Sequence, residues 1–418
     1  MANQLTDIQL KEMCYNAKRL GFRPERLLLL DKRIEEWSKD EFTPSIAVRI
    51  LRHGELAFEG AYGILGPNRA ENSLKVDTIF PVCSLTKPVV ATLLAIMQEE
   101  GLLDLNDPVR KYIPEFTGVS YKLVRIWHLL SHTSGLIDED LDKNFEQYVK
   151  NAFGITRIDY EASDEAKKEM FQRIRNKMGL SAMEFSKEMK SDTYKAVILS
   201  LPPTHKAGLI MSYCNLGYEM LMDIVKRVSE REPDEYFAEK LFFPCNMKDS
   251  YFHLPQEKLS RYVTRGQGYI AADWLNKGIL NSEGGANGLK TTVHDMTCLG
   301  QMYLNNGHYN GNRILSSSSI RELTTDHNIG MKAASYNGEI FESTWGLGWN
   351  IKGTKKDDAG LLRSARSFEH GGFASHKLLC DPDSDLVAAH FTVSKENDFP
   401  NASKFNNMVI AAIDDVLI

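Results

Sequence analysis

Six cysteines are spread over 418 residues, and no two of them form a CxxC pair. That spacing speaks against a zinc site or a thiol redox motif. No run of basic residues occurs and the formal net charge is −6, the wrong balance for gripping a nucleic-acid backbone. No apolar stretch is long enough to span a membrane. Met1 to Leu20 is charged and amphipathic and has no apolar core of the signal-peptide kind, so a cytoplasmic location is expected. A reducing compartment fits Cys83 and Cys214 as small buried thiols. Internal repeats and low-complexity segments are missing too. What is present is ordinary for a globular chain: 43% hydrophobic and 25% charged residues.

Pro24 to Asp40 carries leucines and isoleucine at helical spacing. Ser45–Leu51 and Leu56–Gly63 read as two strands joined by a hairpin turn at His53-Gly54-Glu55. Helical patterns dominate from Ser84 to about Leu280. Strand signals return at Trp345–Ile351, Ser375–Cys380 and Asp385–Thr392, and Ser403–Ile418 reads as a closing amphipathic helix. The expectation is an α/β fold of the α+β type: an antiparallel sheet built from both termini, flanked by helices, plus an inserted, mostly helical lobe. Residues 1–83 and 281–418 would form the discontinuous α/β lobe, and 84–280 the helical lobe. The charged segment 137–200 is either a solvated elaboration of that lobe or a cap over a cleft between the two.

Three short segments carry chemistry. In Ser84-Leu85-Thr86-Lys87 an apolar stretch meets a helix start. Residues three apart on a helix are neighbours, so the Lys87 amine is within reach of the Ser84 hydroxyl. A serine needs a base to become a nucleophile, and burial would let that amine accept a proton near neutral pH. In Tyr213-Cys214-Asn215 two polar residues stand two apart before an apolar helical pattern. Tyr213, its pKa lowered by a nearby lysine, would relay a proton, and Asn215 would position a lysine and a substrate carbonyl. A core tyrosine and a capping asparagine are the plainer alternative. In His370-Gly371-Gly372-Phe373 the paired glycines allow close backbone approach. On a strand edge facing Ser84, the Phe373 N–H would join the Ser84 N–H as an oxyanion hole; a simple glycine turn is the alternative. His128 and His132, four apart, have no third ligand nearby in the sequence, and internal hydrogen bonding is the expected role, not metal binding.

Together, the three segments resemble the serine β-lactamase and penicillin-binding-protein superfamily, which carries S-x-x-K, Y-x-N and a K/H-T/S/G-G element in this order. The branch resembled is that of class C β-lactamases, D-alanyl-D-alanine carboxypeptidases and family VIII carboxylesterases. Asp104–Val109, Trp127–Leu136, Gly284–Leu289 and Trp345–Trp349 match further segments of it. The resemblance implies acyl transfer through a covalent acyl-enzyme with Ser84 as nucleophile and Lys87 and Tyr213 as proton-transfer groups. Asn215, His370, Gly371, Gly372 and Phe373 would bind substrate, and no cofactor or metal is called for. His370 stands where class C β-lactamases carry lysine, and would supply a proton donor or positive charge, the charge increasing in mild acid. The expected partner is a small ester, amide or lactam, with an esterase or amidase as the leading reading. A β-lactamase or D-amino-acid peptidase is the nearest rival, and a non-catalytic binding protein the rival of another class.

Overall fold

The computed structural model describes residues 14–40, 43–67, 72–117, 122–153, 163–180, 187–202, 204–334, 340–395 and 400–414. Helix α1 (Pro24–Ser38) leads into strands β1 (Ser45–Arg52) and β2 (Glu55–Gly63). Helices α2 (Thr86–Glu99), α3 (Ile126–Leu130), α4 (Asp138–Phe153), α5 (Asp164–Met178), α6 (Lys187–Ser200) and α7 (Asn215–Ser229) follow. Then come α8 (Val293–Leu304), strands β3 (Asn350–Ile351), β4 (Phe368–Gly372), β5 (His376–Asp381) and β6 (Leu386–Val393), and α9 (Pro400–Ile410). The strands form one six-stranded antiparallel sheet in the order β2-β1-β6-β5-β4-β3. The first hairpin therefore pairs directly with the last strand, and the sheet is made from both ends of the chain.

Alternation along the strands decides which layer each residue joins. Ile46, Val48 and Ile50 of β1 pack with Leu27, Leu30 and Ile34 of α1 and with Phe405 and Val409 of α9. Their neighbours Ala47 and Leu51 enter the main core on the other face, with Leu299 and Met302 of α8. Both faces are covered, so β1 is buried along almost its whole length. Helix α2 is buried from Thr86 to Met97, as a helix apolar on all sides must be. It ends where Gly101 takes φ 73°, a conformation glycine adopts without steric cost. Segment 137–200 is helical where described, and Leu141, Phe145, Val149, Ile174, Val197 and Ile198 give it a small apolar core of its own.

The expected strand Trp345–Ile351 shortens to Asn350–Ile351, with Trp345 meeting Asn350 in an isolated bridge. Gly346 N–H donates to the Trp349 carbonyl at 2.8 Å, closing a turn instead. Gly348 has φ 89°, and a Cβ there would lie 2.6 Å from Ala91 of α2, so the turn is pressed against the central helix. The closing helix runs from Pro400 to Ile410, not from Ser403 to Ile418. Beyond it the chain folds back, Asp414 N–H donating to the Gly21 carbonyl at 2.9 Å; residues 415–418 lie outside the described residues. The helical pattern expected to reach Leu280 gives way after Phe242 to turns and single-turn helices. Among the described residues no helix is long and apolar enough to cross a membrane.

Candidate active site

Ser84 lies in a 3-10 turn, Cys83–Leu85, that feeds directly into α2. Cys83 has φ 51°, a left-handed conformation that costs a non-glycine residue about 1–3 kcal/mol. Its surroundings hold it there. Cys83 is buried, Val82 N–H donates to the Leu289 carbonyl at 3.2 Å, and Thr86 Oγ1 donates to the Cys83 carbonyl at 2.7 Å. The sharp turn leaves the Ser84 side chain partly exposed between buried neighbours.

One helical step on, Lys87 is fully buried. Its Nζ donates to Ser84 Oγ, Asn215 Oδ1 and the Ala286 carbonyl, each at 2.9 Å. All three acceptors are uncharged. Burial accordingly pushes the amine down to about 7, while Glu219 and Asp138 at longer range pull the other way. The amine also lies 4.7 Å from the Tyr213 ring centre and 5.5 Å from that of Tyr218. Tyr213 comes from the extended segment before α7, and Asn215 opens that helix. Burial raises the Tyr213 pKa, with a side-chain hydrogen bond to Ser84 opposing it. The expectation of a tyrosine acidified by lysine is therefore corrected: burial outweighs the Ser84 hydrogen bond, and the Tyr213 pKa is raised, not lowered.

The third segment lies on strand β4 and is not a glycine turn. The two-residue β3 pairs only with Phe368 and Glu369, so from His370 to Gly372 the side away from β5 is an edge of the sheet among the described residues. Strand β4 also packs against the Cys83–Leu85 turn. A Cβ on Gly372 would sit 2.2 Å from the Val82 carbonyl oxygen, so backbone meets backbone beside the nucleophile turn, an approach open to glycine alone. Phe373 packs near Trp274 and in a small cluster with Cys83, Leu275 and Ile279. His370 is 2% exposed. Its ring centre is 6.3 Å from that of Tyr213 and 5.7 Å from that of Trp345, and its Nδ1 is 2.7 Å from the Gly371 carbonyl. Burial, with Lys87 adding to it, drives its pKa down to about 3. The charge expected to grow in mild acid is thus corrected: His370 stays a neutral wall of the site across the physiological range.

His128 and His132 turn to separate partners. His128 Nδ1 accepts from the Arg125 N–H at 3.0 Å, while His132 Nδ1 accepts from the Cys214 N–H at 3.1 Å. The His132 ring lies 4.3 Å from that of Tyr213, so the second histidine braces the tyrosine from behind.

Residues 30–412 match the family described as Beta-lactamase. The chain belongs to the beta-lactamase family. Esterase EstB of Burkholderia gladioli is 41% identical over 91 residues, 21% of this chain and 23% of that protein. The crystal structure of a penicillin-binding protein homologue from Caulobacter crescentus superposes with a TM-score of 0.68 at 17% identity, covering 94% of this chain and 99% of that one. A family VIII carboxylesterase superposes with a TM-score of 0.67 at 18% identity, covering 92% of this chain and 95% of that one. The fold is the one these proteins share: a mixed structure with an antiparallel sheet and flanking helices.

Within this member of the beta-lactamase family, Ser84, Lys87, Tyr213 and Asn215 converge, and His370 to Phe373 border them. Three further participants escaped the sequence reading. The Ala286 carbonyl is a backbone group and leaves no side-chain signature. Glu219 accepts from the Ala286 N–H at 3.2 Å, and its position four residues after Asn215 on α7 was the available clue. Asp138 follows the turn at Gly135, and its charged surroundings in the sequence conceal it.

Proposed function

We propose that the protein is a serine hydrolase that acts through an acyl-enzyme on small esters or amides, in the manner of a carboxylesterase. The observation that carries this reading is the buried Lys87 amine, 2.9 Å from Ser84 Oγ and bonded otherwise only to neutral acceptors. In this reading Ser84 Oγ attacks the substrate carbonyl carbon while Lys87 takes the hydroxyl proton. The carbonyl π pair moves onto oxygen, and the N–H groups of Ser84 and Phe373 receive it; each such donor is commonly worth about 2.7–4 kcal/mol. Collapse of the tetrahedral intermediate breaks the bond to the leaving alcohol or amine, which takes the proton from Lys87 by way of the Tyr213 hydroxyl. Water then repeats the sequence on the acyl-enzyme, releasing the acid and restoring Ser84. Asn215 holds Lys87 in place throughout.

A β-lactamase reading has support in the family name. Against it stands His370, a neutral, buried group where a cation would meet the carboxylate of a β-lactam. Short-chain esters are therefore the favoured substrates. The test is a comparison of p-nitrophenyl butyrate with nitrocefin at pH 7.5, with intact mass after fluorophosphonate treatment. The ester should lead by at least about tenfold in kcat/KM, equivalent to about 1.4 kcal/mol. Faster turnover of nitrocefin would hand the site to the lactamase reading.

A further inference from the structure

Four donors converge on one carboxylate beside the site. Asp138, the first residue of α4, accepts from the Asn215 N–H at 2.7 Å, Asn215 Nδ2 at 2.8 Å and Cys214 Sγ at 3.1 Å, with the Leu216 N–H at 3.4 Å. Cys214 makes no side-chain cap for α7, so Asp138 supplies that cap from another helix. The chemistry of the contact is one-sided. A carboxylate only accepts, so Asn215 must turn its NH2 toward Asp138. Its carbonyl then has a single remaining direction, and Lys87 Nζ lies along it at 2.9 Å. Without Asp138, the amide could flip and present NH2 to the amine.

We propose that Asp138 is a positioning residue for the base: it locks the Asn215 amide so that the carbonyl faces Lys87, and it ties segment 137–200 to the proton-transfer step. This role rests on the hydrolase reading above. The groups facing Lys87 are Asp138 on α4, Glu219, Tyr218 and Asn215 on α7, Cys214 and Tyr213 before it, Cys83 beside Ser84, His132 after α3 and His370 on β4. Of these, Asp138 and Glu219 are the carboxylates, and both favour the charged amine. Removing the Asp138 charge therefore moves the Lys87 pKa down, and the rising limb of the pH–rate profile shifts to lower pH.

The experiment uses the full chain and p-nitrophenyl butyrate. Asp138→Asn should lower kcat by about ten- to a hundredfold, as small misplacements of catalytic groups do, with KM little changed. Its rising limb should move toward acid. Asp138→Glu keeps the charge but displaces the oxygens, so kcat should fall with the limb in place; it also serves if the asparagine variant does not fold. In an Asn215→Ala background, Asp138→Asn should cost at most about twofold more, because residues acting as a unit do not add. Wild-type kcat and limb in Asp138→Asn, or full additivity with Asn215→Ala, would overturn the role. Two controls separate its failure from that of the hydrolase reading. Ser84→Ala that still hydrolyses ester defeats the latter alone. An NMR titration of the Lys87 side chain, independent of turnover, must show a lower pKa in Asp138→Asn, and an unmoved pKa defeats the former alone.

Discussion

Two lysines are buried on opposite faces of the sheet framework, and they have opposite fates. The register of β4 with β5 sets Glu369, Gly371 and Lys377 on the face away from His370 and Gly372. Lys377 Nζ lies 3.3 Å from Glu369, both side chains almost fully buried. Glu369 raises the lysine and is itself held low, so the pair stays charged. Among the described residues Lys87 has no carboxylate at contact distance, and its amine meets a hydroxyl, an amide oxygen and a backbone carbonyl. The same desolvation therefore yields a structural ion in one place and a base poised near neutrality in the other. Burial alone does not make a site. Lys290 is also buried and brought to about 7, but its amine donates to the Phe252 and Ser282 backbone carbonyls, and the Ser282 hydroxyl is taken up by the Gly284 N–H. The difference lies in what the free amine faces.

The strongest attack on this contrast is at the nucleophile itself. Ser84→Ala should abolish covalent labelling and lower turnover by at least about a thousandfold. Lys87→Ala and Tyr213→Phe should each be severe, while the double variant should fall well short of the product of the two losses. Full additivity of the barrier increases would show independent roles. Next in size is the other lysine. Lys377→Met strands the Glu369 carboxylate and should lower unfolding free energy by about 3 kcal/mol, as breaking one side of a buried pair does. Urea melts measure it, and the variant's pH–rate limb should stay where the wild type's is. A shifted limb would mean that the Lys377–Glu369 pair, which already acts on His370 and Tyr213 through the sheet, reaches Lys87 as well.

A smaller effect sharpens the comparison by titration. Lys87 must be neutral to accept a proton, and its pKa is depressed to about 7. The free amine is therefore present above that value and lost below it. kcat/KM for a neutral ester should rise through pH 7, falling about tenfold per unit on the acid side. A limb near the ordinary lysine value would show that the amine is solvated. The least effect belongs to His370. With its pKa near 3, the ratio of anionic to neutral ester turnover should change by less than about twofold between pH 7.5 and 6 beyond what the substrates' own charges dictate. A marked gain for the anionic ester in mild acid would put a protonated imidazole back at the site.

Much of this was legible in the sequence, for identifiable reasons. Strands β1, β2, β5 and β6 could be read because Ile46, Val48 and Ile50 and their counterparts are bounded by turns. Ser84 and Lys87 could be paired because helical spacing is a local rule. Distance along the chain hid the rest. Trp345–Ile351 looked like a strand because nothing local reveals that Gly348 must pass beside Ala91. The raised Tyr213 pKa and the depth to which His370 is held neutral were missed because a pKa depends on desolvation by residues far away in sequence. Asp138 carries no local signal of a role and Glu219 only its spacing from Asn215; the fold alone sets Asp138 beside Asn215 and Glu219 beside Ala286.

The sheet order also has a consequence for synthesis. Strand β1 takes β6 as its neighbour, with Ser45 opposite Val393 and Arg52 opposite Leu386. On a ribosome adding about 5–20 residues per second, tens of seconds separate the two strands. During that interval the β1–β2 hairpin has a row of unpaired backbone groups and a set of isoleucines and valines with no complete layer to cover them, the kind of edge that invites pairing with another chain. The core containing the nucleophile helix thus closes only when β6 arrives, and the vulnerable species is a nascent chain that is long and still open.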